Sequence, residues 1–247
     1  MLRVLFTEYP DNPYVNIGID EALLIKGKGN ILRIWRNNTS VILGILSKIS
    51  DEVNLEFVEK YGIPLVRRIS GGGTVFHDMG NINYTIIVDN NSEITGIDFL
   101  YGNLLKGTIN AIKSLVNDDV EVYNESDIAF KGFKISGNSG YIYGNRYLLH
   151  GTLLVSSNLE LMHKALIIPP KNRRKEVNMI KYKVNNLSNL INKKIGQEEI
   201  VNAFIESFAK ITESEPYIDQ IKQDELEFAI NLAKNKYMKK EFINKFV

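Results

Sequence analysis

One continuous stretch of the sequence, Arg67–Asp78, contains most of the residues that could take part in chemistry. It includes three consecutive glycines, Gly71–Gly73, whose bare backbone allows a ligand to come close. Backbone N–H groups in such a loop can surround an anion, and Arg68 adds a planar group that binds phosphate or carboxylate. The stretch has neither the Gly-Lys-Ser/Thr of a P-loop nor a helix pattern directly after the glycines. The arginines before the glycines and His77 after them favour an anion-binding loop over a plain turn between two strands.

Lys134 is the second candidate, within the segment Phe133–Asn138. On a strand, Lys134 and Ser136 share one face, whereas Phe133 and Ile135 point to the other. A lysine on a strand is commonly a solvated edge residue. The functional alternative is an ammonium group held on a rigid element beside a reacting phosphate or acyl group, where it stabilises developing negative charge.

The histidines are His77, His150 and His163, and their spacing matches no metal-ligand pattern. A zinc site is therefore not predicted. His150 is flanked by pairs of leucines, which is typical of a core histidine, and His163 falls on a predicted helix and is interpreted as structural. Asp127 stands at the start of a predicted hairpin strand and, taken alone, is typical of a turn residue.

A basic segment, Lys171–Lys183, contains six lysines or arginines and one acid, Glu176. A solvated loop is the plain interpretation of such a charge run. The alternatives are a flap over an anionic ligand and a docking strip for an acidic partner.

Clustered strands with helices between them must position these residues. Strand patterns occur at Leu2–Thr7, Ile31–Arg36, Ser40–Leu43, Leu65–Ser70, Asn81–Val88, Asp127–Phe130, Phe133–Ser136, Gly140–Tyr143 and Tyr147–Ser156. One helix is predicted to begin at Asn16, which would be its N-cap, and two more span Asn54–Tyr61 and Ile97–Val116. A fourth runs from Asn158 to the Pro169-Pro170 pair, and the chain from Gln197 onward is mostly helical in pattern. Turns at Asn37-Asn38, Lys131-Gly132 and Gly144-Asn145 predict three hairpins. Strands in blocks favour an α+β fold over a doubly wound parallel sheet.

Composition narrows the class of protein. The 247 residues suggest one or two domains, and a formal charge of +1 gives no global attraction to nucleic acid or anionic membranes. The absence of cysteine excludes disulfides, Cys-ligated metals and a cysteine nucleophile. The N-terminal apolar stretch, Leu2–Phe6, is too short for a signal peptide or membrane span, which predicts a cytoplasmic location.

Three motifs occur in a fixed order along the chain. Arg-Arg-x-Ser-Gly-Gly-Gly-x-Val-Phe-His-Asp-x-Gly-Asn spans Arg67–Asn81, Lys-x-Ser-Gly spans Lys134–Gly137, and His-Gly-Thr-Leu-Leu spans His150–Leu154. Together they resemble the catalytic domain of the lipoate–protein ligase A family. The resemblance covers residues 1–190 clearly and the C-terminal helices loosely.

The resemblance implies a particular architecture. It is a mixed, largely antiparallel central sheet flanked by helices, similar to biotin ligase and class II aminoacyl-tRNA synthetase catalytic domains. Residues 1–247 would form one catalytic domain, with helices from about residue 196 packed on it. Two-domain ligases of this kind carry an accessory C-terminal domain, which is predicted to be absent.

The resemblance also implies a reaction and a set of residues. Lipoate is activated by ATP to lipoyl-AMP, and the lipoyl group then passes to a lysine of a carrier domain. Lys134 would contact both the α-phosphate and the lipoyl carbonyl as the catalytic residue. The implied ligands of ATP or lipoyl-AMP are Arg68, Gly73, Thr74, Val75, Phe76 and Lys134. Lipoate binding or loop support is implied for Ser70, Gly71, Gly72, His77, Gly137 and His150.

Implied partners and cofactors complete this expectation. ATP, Mg²⁺ and lipoate would take part, and the metal ligands stay unassigned, with Asp127 as a candidate. The implied partners are lipoyl carrier domains, namely the E2 subunits of 2-oxoacid dehydrogenases and the H protein of glycine cleavage, together with a separate accessory subunit. Neither nucleic acid nor a membrane is an expected partner.

Other readings of the sequence stay open. The chain could transfer a lipoyl group from preformed lipoyl-AMP without activating lipoate, or it could be a lipoate-binding paralogue without turnover. Lys134 argues against the pure binder, which has less need of an ammonium group. A cysteine-dependent octanoyltransferase does not fit a chain without cysteine, and biotin ligase is disfavoured because its Gly-Arg-Gly-Arg-type loop is missing.

Overall fold

The computed structural model describes residues 1–168 and 179–246 of the chain. Its strands in these ranges are β1 (Leu2–Leu5), β2 (Asn30–Trp35), β3 (Ser40–Leu43), β4 (Leu65–Arg67), β5 (Val75–His77), β6 (Asn81–Asp89), β7 (Glu121–Tyr123), β8 (Asp127–Phe130), β9 (Phe133–Tyr143), β10 (Arg146–Leu154) and β11 (Pro216–Asp219). Its helices are α1 (Pro13–Lys26), α2 (Ile49–Glu52), α3 (Leu55–Lys60), α4 (Gly96–Phe99), α5 (Leu105–Val116), α6 (Leu159–Ala165), α7 (Leu187–Ile191), α8 (Gln197–Ile211), α9 (Gln223–Leu232) and α10 (Lys240–Ile243). Among the described helices, none is long and apolar enough to cross a membrane.

Two sheets organise these elements. The larger has the order β11-β1-β2-β6-β10-β9-β8-β7, and the smaller has the order β4-β3-β5. In the larger sheet β1 pairs in parallel with β2 and β11, whereas the other pairs are antiparallel. The predicted α+β class with a mixed, largely antiparallel sheet is confirmed.

The central strands β6 and β10 have two differently covered faces. On one face, Tyr84 and Ile86 of β6 belong to the core that also contains Phe204 and Phe208 of α8. Because side chains alternate along a strand, Asn83 on β6 projects to the opposite face. The larger sheet therefore carries buried polar groups on the face that meets α1 and the smaller sheet.

The smaller sheet forms a separate apolar cluster with α2, α3 and α6. The side chain of Arg67, at the end of β4, is fully buried beneath it. This guanidinium donates to the carbonyls of Gly44 at 2.7 Å, Ser47 at 2.8 Å and Ile243 at 2.7 Å. Arg67 thus ties the loop that follows β3 and helix α10 to the strand that leads into the glycine motif.

Two local predictions are wrong. β2 and β3 do not pair as a hairpin, because β2 lies between β1 and β6 and β3 lies in the other sheet. Asn37 is fully buried and its amide contacts Nδ1 of His77 at 3.1 Å, so this segment crosses between sheets instead of turning back. The N-cap of α1 is Asn12, whose side chain accepts from Val15 N–H, whereas the predicted cap Asn16 is buried inside the helix.

Other predictions are confirmed or adjusted at element ends. The hairpins β8–β9 and β9–β10 form at the predicted turns, and Asn158 caps α6, which ends at Ala165, before the proline pair. The predicted helix Ile97–Val116 is present with a π-helical turn at Leu100–Leu104. The C-terminal helices are joined by the unpredicted strand β11 at the sheet edge.

Candidate active site

Two adjoining chambers lie between the larger sheet and the glycine motif. The larger chamber has a volume of about 200 Å³ and the smaller one about 140 Å³. Residues that border both are Gly73, Thr74, Val75, Lys134, Gly137, Thr152 and Lys181. Each chamber therefore ends at the same short stretch of wall, which is where the glycine loop meets β9 and β10.

The site residues that the family resemblance implies are distributed over the two chambers. Arg68, Gly72, His77 and His150 border the larger chamber alone, and Phe76 borders the smaller one alone. Ser70 and Gly71 border neither chamber. Lys171–Lys175 and Glu176 of the basic segment fall outside the described residues.

Side chains hold the carbonyl groups of the glycine loop. Arg68 Nη2 donates to the carbonyls of Gly71 at 2.5 Å and Gly73 at 2.9 Å, and Ser139 Oγ donates to Gly71 at 3.0 Å. Gly72 has a φ of 79°, a left-handed conformation that favours glycine. Burial lowers the pKa of Arg68 to about 10, which leaves it charged at neutral pH. In this structure Arg68 shapes the loop instead of presenting its whole guanidinium to a ligand.

Lys134 projects from β9 next to a register shift in the β8–β9 pairing. Its Nζ lies 2.5 Å from Asp127 Oδ1, and the other carboxylate oxygen of Asp127 accepts from Asn124 at 2.9 Å. The Lys134 side chain is only 14% exposed. Asp127 therefore holds the ammonium in one place at the border of both chambers and is more than a turn residue.

A buried polar chain connects the larger sheet to the glycine loop. Asp20 on α1 pairs with Arg33 at 2.6 Å and accepts from Nδ1 of His150 at 3.2 Å. His150 Nε2 lies 2.6 Å from Ser70 Oγ, which accepts from Arg68 Nε at 2.9 Å. Burial alone would raise the pKa of Asp20, but the Arg33 charge and the hydrogen bonds hold it below its ordinary value. His150 is thus a buried histidine with satisfied partners that also borders a chamber.

His77 is held in its neutral form. Burial, reinforced by the charge of Arg68, lowers the pKa of His77 to about 3. Its Nδ1 accepts from the Asn37 amide, so the proton resides on Nε2, which lies 3.0 Å from Thr152 Oγ1. Thr152 in turn donates to Asn83 Oδ1 at 2.8 Å. His77 therefore adds no charge to the wall of the larger chamber at neutral pH.

Several wall residues carried no recognisable signal in the sequence. The apolar walls of the larger chamber are Ile17, Trp35 and Ile42, and those of the smaller one include Leu154, Met162, Leu166 and Ile167. His163, interpreted as structural, borders the smaller chamber. Glu52 was also missed, although its Oε2 accepts from both the N–H and the hydroxyl of Thr74. These residues come from distant segments, so their meeting could not be read from local spacing.

The described residues contain no group of three His, Asp or Glu side chains arranged to hold a metal ion. Both carboxylate oxygens of Asp127 are engaged by protein partners. Asp127 is therefore not part of a three-ligand group among the residues that the structure describes.

Replacing His77 with Gln should weaken the pH dependence of stability. The unfolded chain takes up a proton at His77 near its ordinary pKa of 6.5, whereas the folded chain does so only near 3, so stability falls as pH decreases through this window. Between pH 7.5 and 5 this histidine should account for about 2 kcal/mol of lost stability. Urea unfolding of both proteins at the two pH values measures the difference.

His163→Gln is the matched control for this test, because His163 is exposed. Equal loss of stability on acidification in the wild type and in H77Q would show that His77 is not the buried neutral group.

Comparisons of this sequence with known proteins agree on one family. A model of the lipoyl protein ligase A/B catalytic domain matches residues 12–209. A lipoate-protein ligase A homologue of Aeropyrum pernix is 34% identical over 94% of this chain and 88% of its own length.

Solved structures share the whole fold. The bi-partite lipoate protein ligase of Thermoplasma acidophilum, from an archaeal lipoylation system with its E2 lipoyl domain, has a TM-score of 0.86 and 26% identity, covering 99% of this chain and 96% of that one. A lipoate-protein ligase A bound with ATP has a TM-score of 0.86 and 27% identity, covering 99% of both chains. From the extent of the family match and the shared fold, this chain belongs to the lipoyl protein ligase A/B catalytic-domain family.

Proposed function

We propose that this chain is a lipoate–protein ligase that activates lipoate with ATP and transfers the lipoyl group to a lysine of a carrier domain. The position of Lys134 carries the proposal, because its ammonium borders both chambers. A reaction between an acyl group in one chamber and a nucleotide in the other would take place beside it. Both steps build negative charge on oxygen, which a fixed cation stabilises without any protein nucleophile.

The two chambers suit different parts of the substrate. We assign the lipoyl tail to the larger chamber, where Trp35, Ile17 and neutral His77 offer a wall without charge. We assign the adenosine to the smaller chamber, whose wall includes Phe76 and Met162 and provides apolar surface for a purine. The carboxyl end of lipoate and the α-phosphate then meet at the shared wall.

In the first step a lipoate carboxylate oxygen attacks the α-phosphorus of ATP. The new oxygen–phosphorus bond forms as the bond to the pyrophosphate oxygen breaks, and pyrophosphate leaves with the electron pair. Lys134 Nζ stabilises the charge on the α-phosphate oxygens, while Asp127 keeps the ammonium from rotating away.

In the second step the neutral amine of a carrier lysine attacks the carbonyl carbon of lipoyl-AMP. Negative charge develops on the carbonyl oxygen beside the same ammonium of Lys134. The carbon–oxygen bond to phosphate then breaks, AMP leaves with its electron pair, and the new amide nitrogen loses a proton to water. One cation thus serves both steps, since the two reacting centres are separated by a single bridging oxygen.

Mg²⁺ is proposed only as the ion that accompanies the phosphates of ATP. Magnesium usually binds substrate phosphates with one or two carboxylates and several waters. We expect it to enter the site bound to the triphosphate of ATP.

A carrier domain and a second subunit are the proposed partners. The bi-partite ligase of T. acidophilum, solved with its E2 lipoyl domain, matches this chain over nearly the full length of both. By analogy, a lipoyl domain of the E2 or H-protein type would supply the acceptor lysine. A separately encoded subunit would assist activation.

Lys134→Ala should lower the rate of lipoate-dependent pyrophosphate release by about 10²–10³-fold, because one charge-stabilising donor is lost. Lys134→Arg should also be poor, since a planar fork does not replace a compact ammonium group. Lys131→Ala, which removes an exposed lysine from the β8–β9 turn, is the control and should stay active. Near-normal pyrophosphate release by K134A, with the fold verified by circular dichroism, would contradict the proposal.

Gly73→Val should weaken lipoyl-AMP binding by about 10- to 100-fold, because its side chain would project where both chambers meet. A Cβ atom there would lie 3.1 Å from Lys181 Nζ. Gly71→Val is the matched control, since nothing lies within 4 Å of its Cβ position. Gly72→Val should also impair binding, but its positive φ adds backbone strain. If G73V binds lipoyl-AMP with the same affinity as G71V, the glycines act only as a turn.

The two half-reactions should differ in their need for a second subunit. We expect the isolated chain to transfer lipoate from synthetic lipoyl-AMP to a carrier domain, but to use ATP plus lipoate poorly until the accessory protein is added. Parallel assays with the same carrier domain measure both rates. Comparable rates without any added protein would make the chain a self-sufficient ligase, and binding without either reaction would favour a lipoate-binding paralogue.

A further inference from the structure

Lys181 brings a second ammonium group to the shared wall of the chambers. It lies in the 3₁₀ turn Met179–Tyr182 and borders both cavities, as Lys134 does. Its Nζ is 3.1 Å from the position that a Cβ on Gly73 would occupy. The ammonium is therefore next to the glycine loop and not directed into bulk water.

The charges that border the chambers do not balance. Among lysine, arginine and acidic residues in the described ranges, three cations, Arg68, Lys134 and Lys181, stand against two carboxylates, Glu52 and Asp127. One positive charge is in excess. The phosphate of an acyl adenylate carries one negative charge, which matches this excess.

Among the three cations that border the chambers, Lys181 is the one with no hydrogen bond or ion pair to any residue that the structure describes. Lys134 is paired with Asp127, and Arg68 donates to loop carbonyls. Within residues 1–168 and 179–246, Lys181 Nζ has no hydrogen-bond or ion-pair partner, and its closest ring contact is Tyr182 at 5.7 Å from the centroid. Burial, together with the neighbouring charge of Lys134, lowers the pKa of Lys181, although the carboxylates of Glu52 and Asp127 act in the opposite direction. An anion bound between the two ammonium groups would relieve this repulsion.

Main-chain hydrogen bonds join β9 at Lys134 to the segment that follows Lys181. Lys134 N–H donates to the carbonyl of Lys183 at 2.8 Å, and Asn185 N–H donates to the carbonyl of Lys134 at 3.1 Å. The segment after the 3₁₀ turn therefore lies along β9 as a short added strand, bridged at Lys134 and Val184. These main-chain hydrogen bonds therefore fix the position of the segment that carries Lys181 relative to Lys134.

We propose that Lys181 binds the α-phosphate of the lipoyl adenylate as a second cation beside Lys134. This inference rests on the proposed function and adds a binding residue to it. Because the α-phosphate is present in both ATP and lipoyl-AMP, Lys181 serves activation and transfer alike. Its role is to hold the anion, and it takes no part in proton transfer.

The test compares two ligands that differ by the phosphate. Lipoyl-AMP and 5′-O-lipoyladenosine, an ester without phosphate, are titrated into the wild type and into K181Q. We expect K181Q to bind lipoyl-AMP about 10- to 100-fold more weakly, as for loss of one charged hydrogen bond, and to bind the ester as the wild type does. Lys181→Arg should recover most of the affinity for lipoyl-AMP because it keeps the positive charge.

Lys183→Gln is the matched control, because the Lys183 ammonium lies over the Phe133 ring at 4.5 Å from its centroid and borders neither chamber. This variant removes the same charge two residues away and should bind both ligands normally. Equal weakening of both ligands in K181Q would assign Lys181 a structural role and overturn the inference, as would unchanged binding of lipoyl-AMP. Failure of the wild type itself to bind lipoyl-AMP would instead overturn the proposed function, and the inference with it.

Discussion

The site depends on one buried chain of polar contacts, which runs from Arg33 through Asp20, His150 and Ser70 to Arg68. Glycines have no side chains with which to fix their own loop, so the loop takes its shape from Arg68. Arg68 is in turn oriented by a network anchored on α1 and β2. Because removing one partner from a buried charged network leaves another charge uncompensated, the loop is coupled to the stability of the whole sheet.

The features that a local pattern determines were predictable. The turn at Lys131-Gly132 places Lys134 at the start of β9, and a left-handed φ at both turn residues explains why the hairpin forms there. The long helix ending at Val116 follows from its apolar spacing. The resemblance then supplied what no spacing could, namely that the glycine motif and Lys134 border one site.

The features that arise where distant segments meet were not predictable. Asn37 has the residue type of a turn, yet a buried partner on β5 draws it into the interior. Trp35 and Ile17 have the pattern of ordinary core residues, and only the packing of α1 and β2 makes them chamber walls. Lys181 was one basic residue in a charged run, and its distinct position comes from the main-chain pairing with β9.

The hydrogen bonds of the buried Arg67 side chain affect the order in which parts of the chain can fold. Its guanidinium binds the carbonyl of Ile243, which is 176 positions further along the chain. Contacts of such long sequence separation form late, because a large loop must close before they contribute. During synthesis on the ribosome, Arg67 can bind the carbonyls of Gly44 and Ser47 early, but its bond to Ile243 forms only after helix α10 has emerged. The glycine loop is therefore made before the helix that completes the hydrogen bonds of the Arg67 guanidinium.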